Sequence, residues 1–131
     1  MTHALPQVVL VEDDQAALKA LERLVRAGGF EPVCYASAEE FLASPPVSLP
    51  LCLLLDVKLG GMSGIDLQRR LRALGSSLAV IILTAIDDPG VREEAHQLGC
   101  AAFLAKDDDG ELLLGIIRTI ERSTRPGSGT H

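Results

Sequence analysis

The stretch that most constrains this chain is Leu51-Cys52-Leu53-Leu54-Leu55-Asp56, five apolar residues in unbroken succession that stop at a carboxylate. Proline and serine precede the run and Gly60-Gly61 follows it, so it has the length and punctuation of a strand and not of a helix. A strand with no polar alternation is buried on both faces, which is the signature of a parallel sheet covered by helices on both sides. Three further short runs end in the same manner. Val8-Val9-Leu10-Val11 leads into Glu12-Asp13-Asp14, Ala79-Val80-Ile81-Ile82-Leu83 into Thr84, and Ala101-Ala102-Phe103-Leu104-Ala105 into Lys106. Parallel neighbours bring all their C-terminal ends to one edge of the sheet, the edge at which open α/β sheets bind ligands. Three acids, a hydroxyl and an ammonium are thereby expected to converge around Asp56.

Helical patterns fill the intervals. Asp13 or Asp14 caps a helix with Ala17, Leu18, Leu21, Leu24 and Val25 at helical spacing, ended by Gly28-Gly29. A weaker strand over residues 30–35 follows, then Ser37-Ala38-Glu39-Glu40, a capping-box pattern opening a short helix that Ser44-Pro45-Pro46 stops. Ser63 and Asp66 begin a helix carrying Ile65, Leu67, Leu71 and Leu74. Asp87-Asp88-Pro89 begins another that ends near Leu98-Gly99, and a last helix spans residues 111–122. Five β-α units in succession imply a parallel sheet with helices on both faces. The domain is expected over residues 1–122, with a flexible tail or linker over 123–131.

Composition narrows the function. One domain of 131 residues buries a sizeable core, and with aromatics at 3% that core is aliphatic. A net charge of −6 argues against nucleic acid as a ligand of this domain, since phosphate neutralisation needs clustered Lys and Arg. Cys34, Cys52 and Cys100 are odd in number and set among apolar residues, so they read as small buried hydrophobes of a reducing, cytoplasmic protein. No basic start with a long apolar run opens the chain and no stretch reaches membrane-spanning length, so neither secretion nor a membrane is expected.

At the strand ends, Glu12, Asp13 and Asp56 would lie within a few ångströms of one another. A like-charged pair at that range costs roughly 4 kcal/mol at an effective dielectric near 20. A hard cation relieves the repulsion, and Mg²⁺ suits a few carboxylates, waters and a phosphate oxygen. Singly, Asp13-Asp14 reads as a helix cap, Thr84 as a strand-end hydroxyl and Lys106 as a solvated lysine. Jointly, a metal, an ammonium and a hydroxyl around one free carboxylate are the parts that stabilise a phosphoryl group in transfer, with Asp56 as the nucleophile.

Val-Glu-Asp-Asp at 11–14, Leu-Leu-Asp at 54–56, Met-Ser-Gly at 62–64, Leu-Thr-Ala at 83–85 and Phe-Leu-Ala-Lys at 103–106 resemble, in order and spacing, the receiver domain of two-component response regulators. The resemblance runs from Val8 to about Arg122. It implies a flavodoxin-like (βα)5 three-layer sandwich with a five-stranded parallel sheet of order 2-1-3-4-5. It also implies that Asp56 accepts a phosphoryl group from a histidine kinase or histidine phosphotransfer protein. Mg²⁺ would be held by Glu12, Asp13, Asp56 and the backbone carbonyl of Lys58. Thr84 and Lys106 would attend the phosphoryl group, Ala85 would leave room beside it, and Thr84 with Phe103 would form the switch pair. Such a domain is a phosphoacceptor switch and not an enzyme in its own right.

Two positions depart from that family. Leu59-Gly60 stands in place of Met-Pro, which loosens the loop after Asp56. Lys106-Asp107 stands in place of Lys-Pro, so the peptide is expected either trans, with Lys106 reaching the site by another route, or cis at a cost of about 3–4 kcal/mol. Receivers with Lys-Asp are associated with chains in which a sensor or kinase module follows. The alternative is a pseudo-receiver acting as a phosphorylation-independent interaction module, against which the intact set Glu12, Asp13, Asp56, Thr84 and Lys106 argues. An aspartyl phosphatase would need an Asp where Lys58 stands, and Glu12-Asp13-Asp14 would repel a flavin phosphate. The last helix-strand-helix face is expected to bind a partner, a homodimer in the first place. There Leu113, Ile116, Ile117 and Ile120 face the core; Leu112 and Leu114 flank them and either widen the apolar arc or pack against the tail or the neighbouring helix; and Phe103 turns inward on phosphorylation.

Overall fold

The computed structural model describes residues 5–85, 88–107 and 109–124. Its elements alternate without exception: β1 (Gln7–Val11), α1 (Gln15–Ala27), β2 (Glu31–Tyr35), α2 (Ala38–Ala43), β3 (Cys52–Asp56), α3 (Gly64–Ala73), β4 (Ala79–Thr84), α4 (Pro89–Gln97), β5 (Ala102–Ala105) and α5 (Gly110–Thr124). The five strands form one sheet of order β2-β1-β3-β4-β5, every pair parallel. This is the expected flavodoxin-like sandwich, with β1 and β3 at its centre.

The unbroken apolar runs are explained by the two cores they serve. Side chains alternate across a strand, so Val9, Val11, Leu53, Leu55, Val80 and Ile82 face α2, α3 and α4, together with Phe41, Leu67, Ala95 and Phe103. Val8, Leu10, Cys52, Leu54, Ile81 and Leu83 face α1 and α5, together with Leu18, Val25, Leu113, Leu114 and Ile117. Neither face of β3 meets water, which is why no polar residue interrupts it before Asp56.

Several expectations are refined. Asp14, and not Asp13, caps α1, its Oδ1 accepting from the Ala16 and Ala17 amides. Asp88 caps α4 through Gly90 and Val91, whereas Asp87 lies outside the described residues. Helix α5 begins one residue earlier and runs to Thr124, two residues into the expected tail, whose remainder over 125–131 also lies outside them. Leu114 is buried, because it packs against the end of α1 at Gly28. Ile116 and Ile120 are only partly buried, and Leu112 is exposed. The inward stripe of α5 is thus Leu113, Leu114 and Ile117. Among the cysteines only Cys52 is buried; Cys34 lies on the outer edge strand and is exposed, and Cys100 is intermediate. No helix among the described residues is long and apolar enough to cross a membrane.

Candidate functional site

The register explains why the acids meet. Val11 pairs with Leu55 and Asp56 pairs with Leu83, so one step further along the central strands Glu12 comes beside Asp56, with Thr84 at the same edge on the next strand beyond. Thr84 pairs in turn with Ala105, which delivers Lys106 to the same edge, and the Lys106 amide donates to the Thr84 carbonyl at 2.8 Å. Glu12, Asp13 and Asp56 each offer a carboxylate oxygen, and the three oxygens lie within 4.8 Å of one another.

Burial sets the electrostatics. Glu12 is 1% exposed, Asp56 7% and Thr84 5%, while Asp13 stands in solvent. The Lys106 ammonium bridges the two buried carboxylates, at 2.6 Å from Glu12 Oε1 and 2.8 Å from Asp56 Oδ2. The Lys106–Asp107 peptide is trans, as no cis peptide occurs among the described residues. Of the two expected arrangements the trans one is present, and Lys106 lies directly on Asp56. Its contact with Glu12 was not foreseen. Burial pushes the Glu12 carboxyl above its ordinary 4.5, only partly opposed by the Lys106 ammonium and the Asp14 amide. Burial alone would lower the Lys106 ammonium, but its hydrogen bonds to Asp56 and Glu12 outweigh that and the net shift is upward. Beside them a cleft of about 190 Å³ opens between α1 and α5, with Leu21, Leu24, Leu83, Leu104 and Leu113 as its apolar wall and Glu12 and Lys106 at one end.

The loop after β3 is tied to the cluster. The Lys58 amide donates to Asp56 Oδ1 at 3.3 Å, and the Gly60 amide to Asp13 Oδ2 at 3.1 Å. Gly64, at the start of α3, is required by close approach: a Cβ there would lie 2.0 Å from the Asp56 carbonyl oxygen. Its amide donates to the Val57 carbonyl, and Ser63 and Asp66 close a capping box around the helix start. Ala85 is exposed at the end of β4. Phe103 projects to the other core, 8% exposed, beneath the Arg92 guanidinium at 4.9 Å and beside the His96 ring at 6.5 Å. The ring is thus already inward in this conformation, covered by α4.

The donors at this edge fit a hard divalent cation. Three carboxylate oxygens converge, two of them on buried side chains, and the single ammonium between them leaves the cluster net negative. Glu39 was missed as part of this region: its Oε2 accepts the Met62 amide at 2.8 Å, reaching the loop from α2. The signal available in the sequence was a second acid beside Glu40 that the helix cap does not use.

A family model described as "Response regulator receiver domain" matches residues 8–118. The chain is similar to the response regulator protein TodT of Pseudomonas putida, 38% identical over 111 residues, covering 85% of this chain and 49% of TodT. It is likewise similar to the transcriptional regulatory protein FixJ of Azorhizobium caulinodans, at 34% identity, covering 97% of this chain and 60% of FixJ. The crystal structure of a response regulator receiver protein from Burkholderia phymatum superposes with a TM-score of 0.75 at 39% identity, over 88% of this chain and 94% of that one. The chain spans about half the length of the curated relatives it matches.

Proposed function

This chain belongs to the response regulator receiver domain family of two-component systems, and from that premise we propose that Asp56 accepts a phosphoryl group from a histidine kinase or histidine phosphotransfer protein in the cytoplasm, with Mg²⁺ bound beside it. The observation that carries the reading is the meeting of Glu12, Asp13 and Asp56 within 4.8 Å at one sheet edge, with the Lys106 ammonium on the two buried members. A pseudo-receiver has no need of that set, and nothing in the site favours one.

The chain's own residues supply most of the chemistry. An Asp56 carboxylate oxygen attacks phosphorus, forming the acyl phosphate as the bond to the donor nitrogen breaks and the imidazole leaves. Glu12, Asp13, Asp56 and the Lys58 carbonyl are the groups that would hold Mg²⁺, whose charge would offset that of the phosphoryl oxygens. Lys106 already sits 2.8 Å from the nucleophile, so its ammonium is prepaid positive charge at the acceptor and passes to a phosphoryl oxygen without a long excursion. The Thr84 hydroxyl, on the adjacent strand end, is the second donor for that product. Thr84 and Phe103 are then the pair through which a change at Asp56 reaches α4, since the ring lies under Arg92 and His96.

The signal surface is the α4-β5-α5 face, on which we expect a homodimer. Leu112, Ile116 and Ile120 form a partly exposed stripe at i, i+4 and i+8, beside Ala101. Leu114 does not contribute, being buried against α1. For the output, FixJ is named a transcriptional regulatory protein and TodT a response regulator protein, which favours a transcriptional role over a following sensor or kinase module. The net charge of −6 argues against nucleic acid as a ligand of this domain itself. Acetyl phosphate with Mg²⁺ should modify the wild type and leave Asp56→Asn unmodified. Mg²⁺ at a hundredfold excess over its Kd should stabilise the fold by about 2.7 kcal/mol. Equal modification of both proteins overturns the reading. Sedimentation with and without beryllofluoride tests the dimer, and a monomer in both states well above micromolar concentration overturns it.

A further inference from the structure

Helix α2 begins with two adjacent acids that do different work. Ser37 Oγ accepts the Glu40 amide at 3.0 Å, and Glu40 Oε1 accepts the Ala36 amide at 3.0 Å, so Glu40 is spent on the helix start. Glu39 is not needed there. Its Oε2 accepts the Met62 amide at 2.8 Å, twenty-three residues away, in the loop that connects Asp56 to α3. Between the two lies Gly61 with φ +90°, and a Cβ on Gly61 would sit 2.8 Å from the same Glu39 oxygen. The carboxylate thus occupies the space that a side chain at 61 would take.

The loop is held from its other side by Asp13, whose Oδ2 accepts the Gly60 amide. Gly60-Gly61 is the least self-ordering dipeptide a loop can contain, and each glycine loses more backbone freedom on fixing than any other residue. Two carboxylates from two different elements therefore do what a stiffer loop sequence would do for itself. They are not equivalent. Asp13 belongs to the carboxylate cluster, so the carboxylate that holds Gly60 would also serve a bound cation. Glu39 is outside the cluster, and its hold on Met62 survives cation binding. Ala38 and Phe41, buried on either side of it in sequence, fix the helix that presents it.

We propose that Glu39 is a positioning residue for the loop after Asp56, residues 57–63, and through that loop for cation binding at the carboxylate cluster. The proposal rests on the phosphoacceptor reading above. Glu39→Ala should weaken Mg²⁺ binding about threefold to tenfold, less than the full worth of a hydrogen bond to a charged group, because the contact is exposed and reaches the cation only through the loop. Saturating Mg²⁺ should restore the rate of modification by acetyl phosphate, so the defect lies in apparent affinity and not in maximal rate. Amide exchange at Met62 should accelerate by about tenfold in the same variant, with or without Mg²⁺. Glu39→Gln, which keeps an acceptor oxygen, should stay within about twofold of wild type in all three measurements. If Glu39→Ala does not fold, Glu39→Asp, whose shorter side chain withdraws the carboxylate from the Met62 amide, probes the same contact, and it should show the same accelerated exchange at Met62. Unchanged Met62 exchange and Mg²⁺ affinity in the folded variant overturn the proposal, as does Glu39→Gln falling as far as Glu39→Ala. Failure of the underlying reading would look different: the wild type itself would resist acetyl phosphate, whatever happens at Met62.

Discussion

Helices α4 and α5 flank the same edge strand, yet they are attached to the sheet by different means. Helix α5 sends Leu113, Leu114 and Ile117 into the core, all at or below 4% exposure, and closes against the end of α1. Helix α4 buries a single alanine, Ala95. Val91 is only half-buried against the same core, and the rest of the attachment is polar reach: Gln68 Nε2 donates to the Ala95 carbonyl at 3.1 Å, Arg69 pairs with Glu94, and Arg92 covers the Phe103 ring at 4.9 Å. Packing of aliphatic volume resists displacement because any shift opens a cavity. Hydrogen bonds and half-exposed ion pairs can be exchanged for others at little cost. The helix that covers Phe103 is thus the one whose attachment tolerates movement, while its partner fixes the frame.

The largest test of that contrast is truncation. Ile117→Ala should destabilise the domain by about 3–4 kcal/mol, as for a fully buried aliphatic residue. Val91→Ala, on the half-buried face of α4, should cost about 1 kcal/mol. Comparable losses in chemical denaturation would erase the distinction between the helices.

A middle-sized effect belongs to Lys106, where β5 ends between the two helices. Lys106→Ala leaves Glu12 and Asp56 buried without their ammonium, a cost of about 2 kcal/mol after discounting for the partial exposure of the lysine. The sign with pH follows from the direction of the shift. The ammonium is raised above its ordinary 10.5, so its stabilisation is complete below that value and is lost as pH rises through the raised one. Glu12 is also raised, above 4.5, so its ionisation works against the fold, increasingly from pH 4.5 upward until it is fully charged. Denaturation midpoints of the wild type should therefore fall above pH 10.5, and Lys106→Ala should lack that step. A step of the same size in both proteins would contradict the bridge.

The smallest effect should be the most local. Arg69→Ala removes the half-exposed pairs with Glu94 and Asp66 and should leave global stability nearly unchanged. It should nonetheless accelerate amide exchange across α4 and leave α5 untouched. Acceleration spread equally over both helices would show that α4 is not separately attached.

What could be read ahead of the structure follows the same division. The order β2-β1-β3-β4-β5 was implied by the receiver resemblance, whereas the unbroken run at 51–55 and the polar residues that end the runs made a strand buried on both faces, one shared sheet edge and the meeting of Glu12, Asp13 and Asp56 legible. Those features are local in the sequence or follow from parallel register. Side-chain reach across elements was not legible. Nothing near Glu39 announces Met62, and nothing near Lys106 announces Glu12 in addition to Asp56. Leu114 stayed open between the outer face and a neighbouring helix, because the helical period alone cannot tell which arc of an apolar helix meets a second helix; the end of α1 at Gly28 decides that. Cys34 was expected inside because its neighbours are apolar, but β2 is an edge strand and that position faces out.

The central claim is that one carboxylate of three in the same pocket takes the phosphoryl group. The most direct measurement is to treat the protein with acetyl phosphate and Mg²⁺, reduce the acyl phosphate with borohydride, and map the modified peptide. The account predicts reduction at Asp56 alone, with Glu12 and Asp13 recovered intact. Label found on Glu12 or Asp13 of the wild type, or no label on any of the three, would contradict it.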